Sequence, residues 1–127
     1  MAVKYLVYIA LGGAGGAVSR YLVSSWVQRV WELSWPLGTL LVNALGSFII
    51  GLLFVLIERQ LIHSDWRAVL MVGFLGAFTT FSTFSLETIN LVEAGNYAAA
   101  LAYVAASATL CVAVAGAGVW LMRALTT

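Results

Sequence analysis

The sequence predicts an all-α membrane protein with four transmembrane helices, and two observations support this prediction. Of the 127 residues, 63% are hydrophobic and only 9% are charged, and the mean hydropathy is +1.03. A soluble domain of this size needs far more polar surface to cover itself. The charged residues also collect in short clusters between long apolar stretches, which indicates that the stretches are membrane spans.

Four apolar stretches are long enough to cross a bilayer. A hydrocarbon core of about 30 Å takes about 20 helical residues, because each residue advances the helix by about 1.5 Å. We predict spans at residues 5–27, 37–57, 68–86 and 97–122. The connections are too short for a second domain, so residues 1–127 are expected to form one four-helix domain. An even number of spans places both termini on one side, and the basic residues specify orientation only weakly.

The second span carries polar residues on one helical face. Thr39, Asn43 and Ser47 follow one another at i, i+4 spacing. Polar groups are costly in hydrocarbon, so they usually face a protein interior or a water-filled cavity. The amide of Asn43 offers two N–H donors and one acceptor, which suit either a bridge to another helix or the binding of an ion.

The third span is unusual, because residues 73–85 contain two glycines and five hydroxyl side chains. Glycine and consecutive Ser and Thr offer the backbone alternative hydrogen bonds, which favours a break in mid-span where protein or water covers the freed carbonyls. An intact helix, with the hydroxyls bonded to their own carbonyls, is the alternative. Broken backbone in a membrane often marks an ion site.

Phe81 and Phe84 are neighbours on one helical face, and Phe78 extends their row. An aromatic row usually serves packing. A phenyl ring also has a positive edge, so these rings can contact a small anion that has shed water, with Asn43 and the hydroxyls of Ser82 or Thr83 completing its shell. Fluoride suits such a site best, because it is compact and accepts hydrogen bonds strongly.

Further residues bear on helix packing, on charge near the spans and on cysteine chemistry. The small residues 12–17 of the first span predict close helix contact, as do Ser47 and Gly51 in the second. Arg20 either extends to the membrane interface or lends positive potential to an anion entrance. Glu87 is expected at the solvated end of the third span. Cys111 is the only cysteine, so neither an internal disulfide nor a thiolate metal cluster can form.

Three sequence blocks, taken together, resemble the Fluc family of bacterial fluoride channels, also called CrcB-type fluoride exporters. They are GGAGGAVSRYL at residues 12–22, PLGTLLVNALGSFIIG at residues 36–51 and GFLGAFTTFSTFSLET at residues 73–88. The resemblance covers essentially the whole chain. It implies an antiparallel, dual-topology homodimer in the bacterial inner membrane, with two fluoride pathways that are each lined by both subunits.

The resemblance also implies roles for individual residues. Those expected to line the fluoride pathway are Thr39, Asn43, Phe81, Ser82, Thr83, Phe84, Tyr103 and Ser107. A structural sodium ion at the dimer centre would be held by the backbone carbonyls of Gly76 and Thr79. The sequence departs from the family pattern at Ala77, where a second glycine is common. It departs again at Cys111 and Ala115, which leaves open how far the polar track of the fourth helix extends.

Other function classes fit the sequence less well than a passive fluoride channel. A small four-helix drug antiporter needs a proton-carrying carboxylate within a span, and none is expected there. The acidic residues all fall at predicted span ends or in loops: Glu32, Glu58, Asp65, Glu87 and Glu93. A non-transporting assembly subunit leaves Asn43 and the hydroxyl-rich span unexplained. No catalytic constellation lies within the spans, and a net charge of +1 suggests no nucleic-acid partner.

Overall fold

The computed structural model describes residues 2–31 and 35–127, so Glu32 lies outside the described residues. In chain order, the elements are α1 (Val3–Val30), α2 (Leu37–Glu58), a π-helix (Arg67–Leu75), α3 (Gly76–Phe78), α4 (Phe81–Glu93) and α5 (Tyr97–Leu125). The described part of the chain contains no strand. Four helical segments are long and apolar enough to cross a membrane: Val3–Val30, Leu37–Glu58, Arg67–Glu93 and Tyr97–Leu125. The prediction of an all-helical chain with four spans is therefore confirmed.

The third span, Arg67–Glu93, differs from the other three in its backbone. Its first part is a π-helix, and the single α-helical turn of α3 follows it. Thr79 and Thr80 then adopt extended backbone, with φ and ψ of −87° and 154° at Thr79 and −148° and 115° at Thr80. Helix α4 starts at Phe81, where the Thr80 side chain caps it by accepting a hydrogen bond from the Thr83 N–H. We call Thr79 and Thr80 the interruption.

The third span also continues past its predicted end at residue 86. Helix α4 runs to Glu93, so Glu87 lies within it. Hydropathy placed the end too early, because an acidic residue normally marks water. Here the protein supplies hydrogen-bond partners to the Glu87 carboxylate, and the helix continues through it.

Polar contacts hold the chain ends and the connection between α2 and the π-helix at one end of the molecule. Lys4 Nζ lies 3.7 Å from Asp65 Oδ2, and Arg123 Nη2 lies 3.2 Å from Glu58 Oε2. At the opposite end, Trp35 Nε1 donates to the Ala99 carbonyl at 3.1 Å. This arrangement is the one expected from an even number of spans.

Glycines allow the helices to approach closely. A Cβ atom on Gly12 would collide with the Val69 carbonyl, and one on Gly16 would collide with the Phe74 carbonyl. Helix α1 therefore lies directly against the π-helix, as the small residues of the first span predict. In α2, Gly51 has the same relation to the Ala115 carbonyl in α5.

The close approach of α1 to the π-helix makes Gly16 sensitive to substitution. We expect Gly16→Ala to lower the free energy of unfolding by about 1–3 kcal/mol, because a methyl group there overpacks the contact with the Phe74 backbone. Thermal unfolding of the detergent-purified protein measures the change. Gly116→Ala in α5 is the matched control, since no atom lies within 4 Å of its Cβ position. Equal unfolding temperatures for the two variants would contradict the prediction.

Candidate functional site

The amide of Asn43 is paired with the backbone of Thr80. Asn43 Nδ2 donates to the Thr80 carbonyl at 3.1 Å, and the Thr80 N–H donates to Asn43 Oδ1 at 2.7 Å. The amide thus satisfies both backbone polar groups of a residue in the interruption. Since an Asn amide carries two N–H groups, one remains for a further partner. Asn43 therefore bridges α2 to the third span, which is one of its two predicted roles. The remaining N–H group would still allow the other role, the binding of an ion.

Two predicted pathway residues meet at Glu87, whose carboxylate joins three helices. Thr39 Oγ1 in α2 donates to Glu87 Oε1 at 2.7 Å, and the Tyr103 hydroxyl in α5 donates to Glu87 Oε2 at 2.8 Å. Thr39 and Tyr103 are both buried. The expectation that Glu87 is simply solvated at a span end was therefore wrong. A carboxylate does lie inside a span, and two hydroxyl groups stabilise it.

An aromatic row extends from Trp35 through Tyr103 and Phe84 to Phe81. The ring centroids lie 5.8 Å apart for Trp35 and Tyr103, 5.1 Å for Tyr103 and Phe84, and 5.3 Å for Phe84 and Phe81. The neighbouring rings are inclined, as favoured by ring quadrupoles. Phe78 does not extend this row, because it is buried on the other side of the interruption and stacks on Phe74.

A cavity of about 560 Å³, which we call the polar cleft, lies between α1, α2 and α4. Arg20, Thr39, Thr83 and Glu87 are on its wall, and Trp35 lies on it near the end of the molecule. Arg20 and Glu87 are the charged residues among its described lining residues, so the cleft carries one formal charge of each sign. Such a cleft can hold water and a hydrated ion within a span.

A second cavity, of about 530 Å³, lies on the other side of Thr80 and is mainly apolar. We call it the apolar cavity. Asn43, Phe81, Phe84 and Ser107 line it, and Thr80 lines both cavities. Ser107 is 8% exposed, and its Oγ has no hydrogen-bond partner. Because a buried hydroxyl without a partner is unfavourable, Ser107 is the clearest vacant hydrogen-bonding group on this wall.

Cys111 and Ala115, the two positions of α5 at which the sequence departs from the family pattern, have different surroundings. Cys111 lies one turn beyond Ser107 and lines the apolar cavity with it. The Ala115 carbonyl faces Gly51 in the packing of α5 against α2. The wall of the apolar cavity therefore includes position 111 and, among the lining residues described, does not include position 115.

Arg20 does not extend along its own helix to an interface. Its Nε donates to the Ala77 carbonyl at 3.0 Å, across 57 residues of sequence. Ala77 belongs to α3, directly before the interruption. The guanidinium group also lies on the polar cleft, so it both contacts the backbone of the third span and places a positive charge beside the cavity.

The two carbonyls predicted to hold sodium, those of Gly76 and Thr79, lose their regular helical donors. In an uninterrupted α-helix, the N–H of Thr80 would bond the Gly76 carbonyl and that of Thr83 would bond the Thr79 carbonyl. Here the Thr80 N–H donates to Asn43 Oδ1 and the Thr83 N–H to Thr80 Oγ1. Both residues line the apolar cavity, and Gly76 is exposed. Among the described residues, no cluster of three His, Cys, Asp or Glu side chains suits a metal.

The predicted site residues thus fall into two groups around Thr80. Arg20, Thr39 and Thr83 lie on the polar cleft, whereas Asn43, Phe81, Phe84 and Ser107 lie on the apolar cavity. Tyr103 lies behind both walls, where it contacts Glu87 and Phe84. Ser82 is exposed on the surface of α4, and its Oγ lies 3.3 Å from Thr80 Oγ1.

Glu87 is the residue that sequence reasoning missed. Thr39 and Tyr103 are hydroxyl groups inside apolar spans, and each requires an acceptor there. A search for that acceptor among the acidic residues nearest to a span would have pointed to Glu87. The bonds connect residues 48 and 16 positions apart, so helical spacing alone does not show them.

Comparison with known proteins gives consistent matches. Residues 7–119 match the model of a family described as CrcB-like protein, Camphor Resistance (CrcB). A fluoride-specific ion channel FluC of Hahella chejuensis is 50% identical over 125 residues, which are 97% of this chain and 98% of the relative. That of Magnetococcus marinus is 49% identical over 114 residues, or 89% and 93% of the two chains. That of Leptospira interrogans is 43% identical over 121 residues, or 94% and 95%.

The bond between Tyr103 and Glu87 should contribute measurably to stability. We expect Tyr103→Phe to lower the free energy of unfolding by about 1.5–3 kcal/mol, the usual worth of a hydrogen bond to a charged group. Thermal unfolding in detergent measures this loss. Tyr97→Phe is the matched control, because Tyr97 begins the same helix and is largely exposed. A control variant as unstable as Tyr103→Phe would show that the Glu87 bond is not the cause.

Proposed function

The chain belongs to the CrcB-like family, and we propose that it is a fluoride-specific ion channel through which fluoride leaves the cell passively. Its relatives from three organisms carry that name at 43–50% identity over most of their length. The protein spans the membrane several times, and proteins of this channel family are not enzymes. Passive export relieves fluoride toxicity without any chemical reaction.

The observation that carries the proposal is the placement of Asn43 on the apolar cavity, bonded to Thr80, which lines both cavities. Its amide is fixed by two bonds to Thr80 and keeps one N–H free for an anion. Beside it on the apolar cavity lie the rings of Phe81 and Phe84 and the vacant hydroxyl of Ser107. Together, these groups can replace the water that fluoride loses.

The two cavities suit successive stages of the passage. In the polar cleft, a fluoride ion keeps part of its hydration and meets the positive charge of Arg20 and the hydroxyl of Thr83. In the apolar cavity, it exchanges water for N–H, O–H and ring-edge contacts. Larger halides accept hydrogen bonds more weakly and gain less from the same groups, which favours fluoride.

A second copy of the chain is part of the proposal. Phe81 is 79% exposed, so one chain covers only one side of a ring that would contact fluoride. Two antiparallel copies would enclose the apolar cavity and give two pathways. The weak bias of basic residues along the sequence is compatible with insertion in both orientations of a bacterial inner membrane. The interruption would then lie near mid-membrane, where protein covers its backbone.

We place a structural sodium ion at the carbonyls of Gly76 and Thr79. Two observations support this assignment: both carbonyls lose their helical donors, and Gly76 is exposed on the surface that the second copy would cover. Carbonyl oxygens suit a hard cation. When bound, the ion would supply positive charge to these oxygens and link the two subunits.

The rival functions are weaker after the comparisons. Glu87 provides the intramembrane carboxylate that a proton-coupled antiporter needs. Both of its oxygens, however, accept hydrogen bonds from hydroxyl groups, and a relative that is 50% identical is named a fluoride-specific ion channel. A non-transporting assembly subunit would not need a fixed amide beside a vacant buried hydroxyl.

Fluoride flux and the role of Phe81 can be tested in one experiment. We expect liposomes containing the purified protein to release fluoride rapidly and chloride slowly, and Phe81→Ile to slow fluoride release at least about tenfold. That factor corresponds to roughly 1.4 kcal/mol lost from the rate-limiting contact. A fluoride electrode and a chloride electrode measure the two rates.

Phe54→Ile is the matched control for that experiment. Phe54 lies in α2, is exposed, and is absent from the described linings of both cavities. It should leave the fluoride rate close to that of the parent protein. Fluoride release no faster than from empty liposomes would reject the channel, whereas normal release by Phe81→Ile would reject only the role of that ring.

Removal of sodium should weaken the dimer if the carbonyls of Gly76 and Thr79 hold this ion. We expect exchange of sodium for N-methylglucamine to increase the monomer fraction in detergent and to slow fluoride release. Without the cation, the freed carbonyls of the two subunits would repel each other. Cross-linking yield and fluoride flux, measured across a sodium titration, give the two readouts. A dimer and a flux that are both indifferent to sodium would exclude the site.

A further inference from the structure

Arg20 is the residue whose contact is least expected from the proposed function. A basic residue beside an anion entrance usually acts through its charge, which needs no defined partner. Arg20 nevertheless has a defined partner, since its Nε donates to the Ala77 carbonyl at 3.0 Å. This bond joins the middle of α1 to the last helical turn before the interruption.

The Ala77 carbonyl needs a donor from outside its own helix. In a continuous α-helix, it would accept a bond from the N–H of Phe81, but the extended backbone of Thr79 and Thr80 lies between them. An unpaired carbonyl is strongly unfavourable in a medium without water. Arg20 therefore acts as a side-chain cap on α3, much as Thr80 caps α4.

The glycines of α1 make this contact possible. Gly16 lies directly against the Phe74 backbone, and Arg20 follows Gly16 by four residues on the same helical face. Ala77 follows Phe74 by three residues, so the parallel course of α1 and the third span brings Arg20 opposite Ala77. The register is thus fixed by packing before any ion is present.

We propose that Arg20 is a positioning residue, which holds the interruption in its shape through the Nε bond to Ala77, and that this role outweighs its charge. The bond keeps α3 in place, so that the neighbouring Thr80 backbone stays within reach of Asn43. The inference deepens the proposed function and rests on it, because the geometry that Arg20 maintains is that of the fluoride path.

Three substitutions separate a donor at the Nε position from the charge. In Arg20→Gln, Nε2 stands as many bonds from Cα as the Arg Nε, so an N–H donor remains there without the charge. In Arg20→Lys, the charge remains, but a carbon atom occupies that place in the chain. Arg20→Met removes both and sets the baseline. Arg29→Gln is the control for loss of a positive charge in α1, because Arg29 is exposed in its last turn.

Fluoride release from liposomes gives the first readout. We expect Arg20→Gln to pass fluoride roughly tenfold faster than Arg20→Lys and Arg20→Met, the effect of keeping one hydrogen bond. Arg29→Gln should match the parent protein. If charge is what matters, Arg20→Lys will exceed Arg20→Gln. A faster rate for Arg20→Lys than for Arg20→Gln would overturn the proposal. Equal rates for these two variants would also overturn it, whether both release fluoride rapidly, both release it slowly or both fail to fold.

Amide hydrogen exchange gives a readout that is independent of flux. The N–H groups of Thr80 and Thr83 are bonded at the interruption, so their exchange reports its shape. In the detergent-purified full chain, peptides covering residues 76–84 should exchange faster in Arg20→Lys than in Arg20→Gln. Exchange in Arg20→Lys that is no faster than in Arg20→Gln would overturn the proposal. A parent protein that passes no fluoride would reject the proposed function, while the exchange comparison would still test Arg20.

Discussion

An interrupted helix can persist within a membrane span only if the protein supplies partners for the backbone groups that the break frees. At the interruption, Asn43 bonds both polar groups of Thr80, and the Thr80 side chain bonds the Thr83 N–H. Arg20 bonds the carbonyl of Ala77. The partners from outside the third span come from α1 and α2, so the bonds that satisfy the freed backbone groups also fix these two helices against the third span. The polar residues of the site therefore have a structural role, and an ion can use only the hydrogen-bonding groups that these backbone contacts leave unoccupied.

The charge distribution in the polar cleft follows a similar logic. A strongly positive cleft would attract an anion but would also hold it, and conduction requires that binding be weak enough for release. Arg20 and Glu87 place one charge of each sign on the described wall. The hydroxyl protons of Thr39 and Tyr103 point to Glu87, which reduces the repulsion its carboxylate exerts on an anion. The cleft therefore suits passage in both directions better than tight capture.

Hydropathy was sufficient to predict the four spans, and the glycines of α1 were sufficient to predict a close helix contact, because both depend on local composition. Thr79 and Thr80, which have extended backbone, belong to the hydroxyl-rich segment. The π-helix and the continuation of α4 through Glu87 were not predictable in this way. Both depend on partners distant in sequence: α1 packs against the π-helix, and Thr39 and Tyr103 stabilise the carboxylate. Polar contacts between spans depend on how far one helix is shifted and rotated against its neighbour, which a single sequence does not specify.

The incompleteness of a single chain links assembly to conduction. A dehydrated fluoride must be surrounded on all sides, yet the described groups of one chain, such as Asn43 and Ser107, lie on one wall of an open cavity next to the exposed ring of Phe81. Gly76, whose carbonyl has lost its helical donor, is exposed and lines the same cavity. In the proposed dimer, the second copy would cover both the open cavity and Gly76. Dimer formation would therefore bury the exposed backbone and close the fluoride pathway in the same step. A lone chain would then have neither a sealed anion path nor a cover for the Gly76 carbonyl, which gives conduction a structural dependence on the pair.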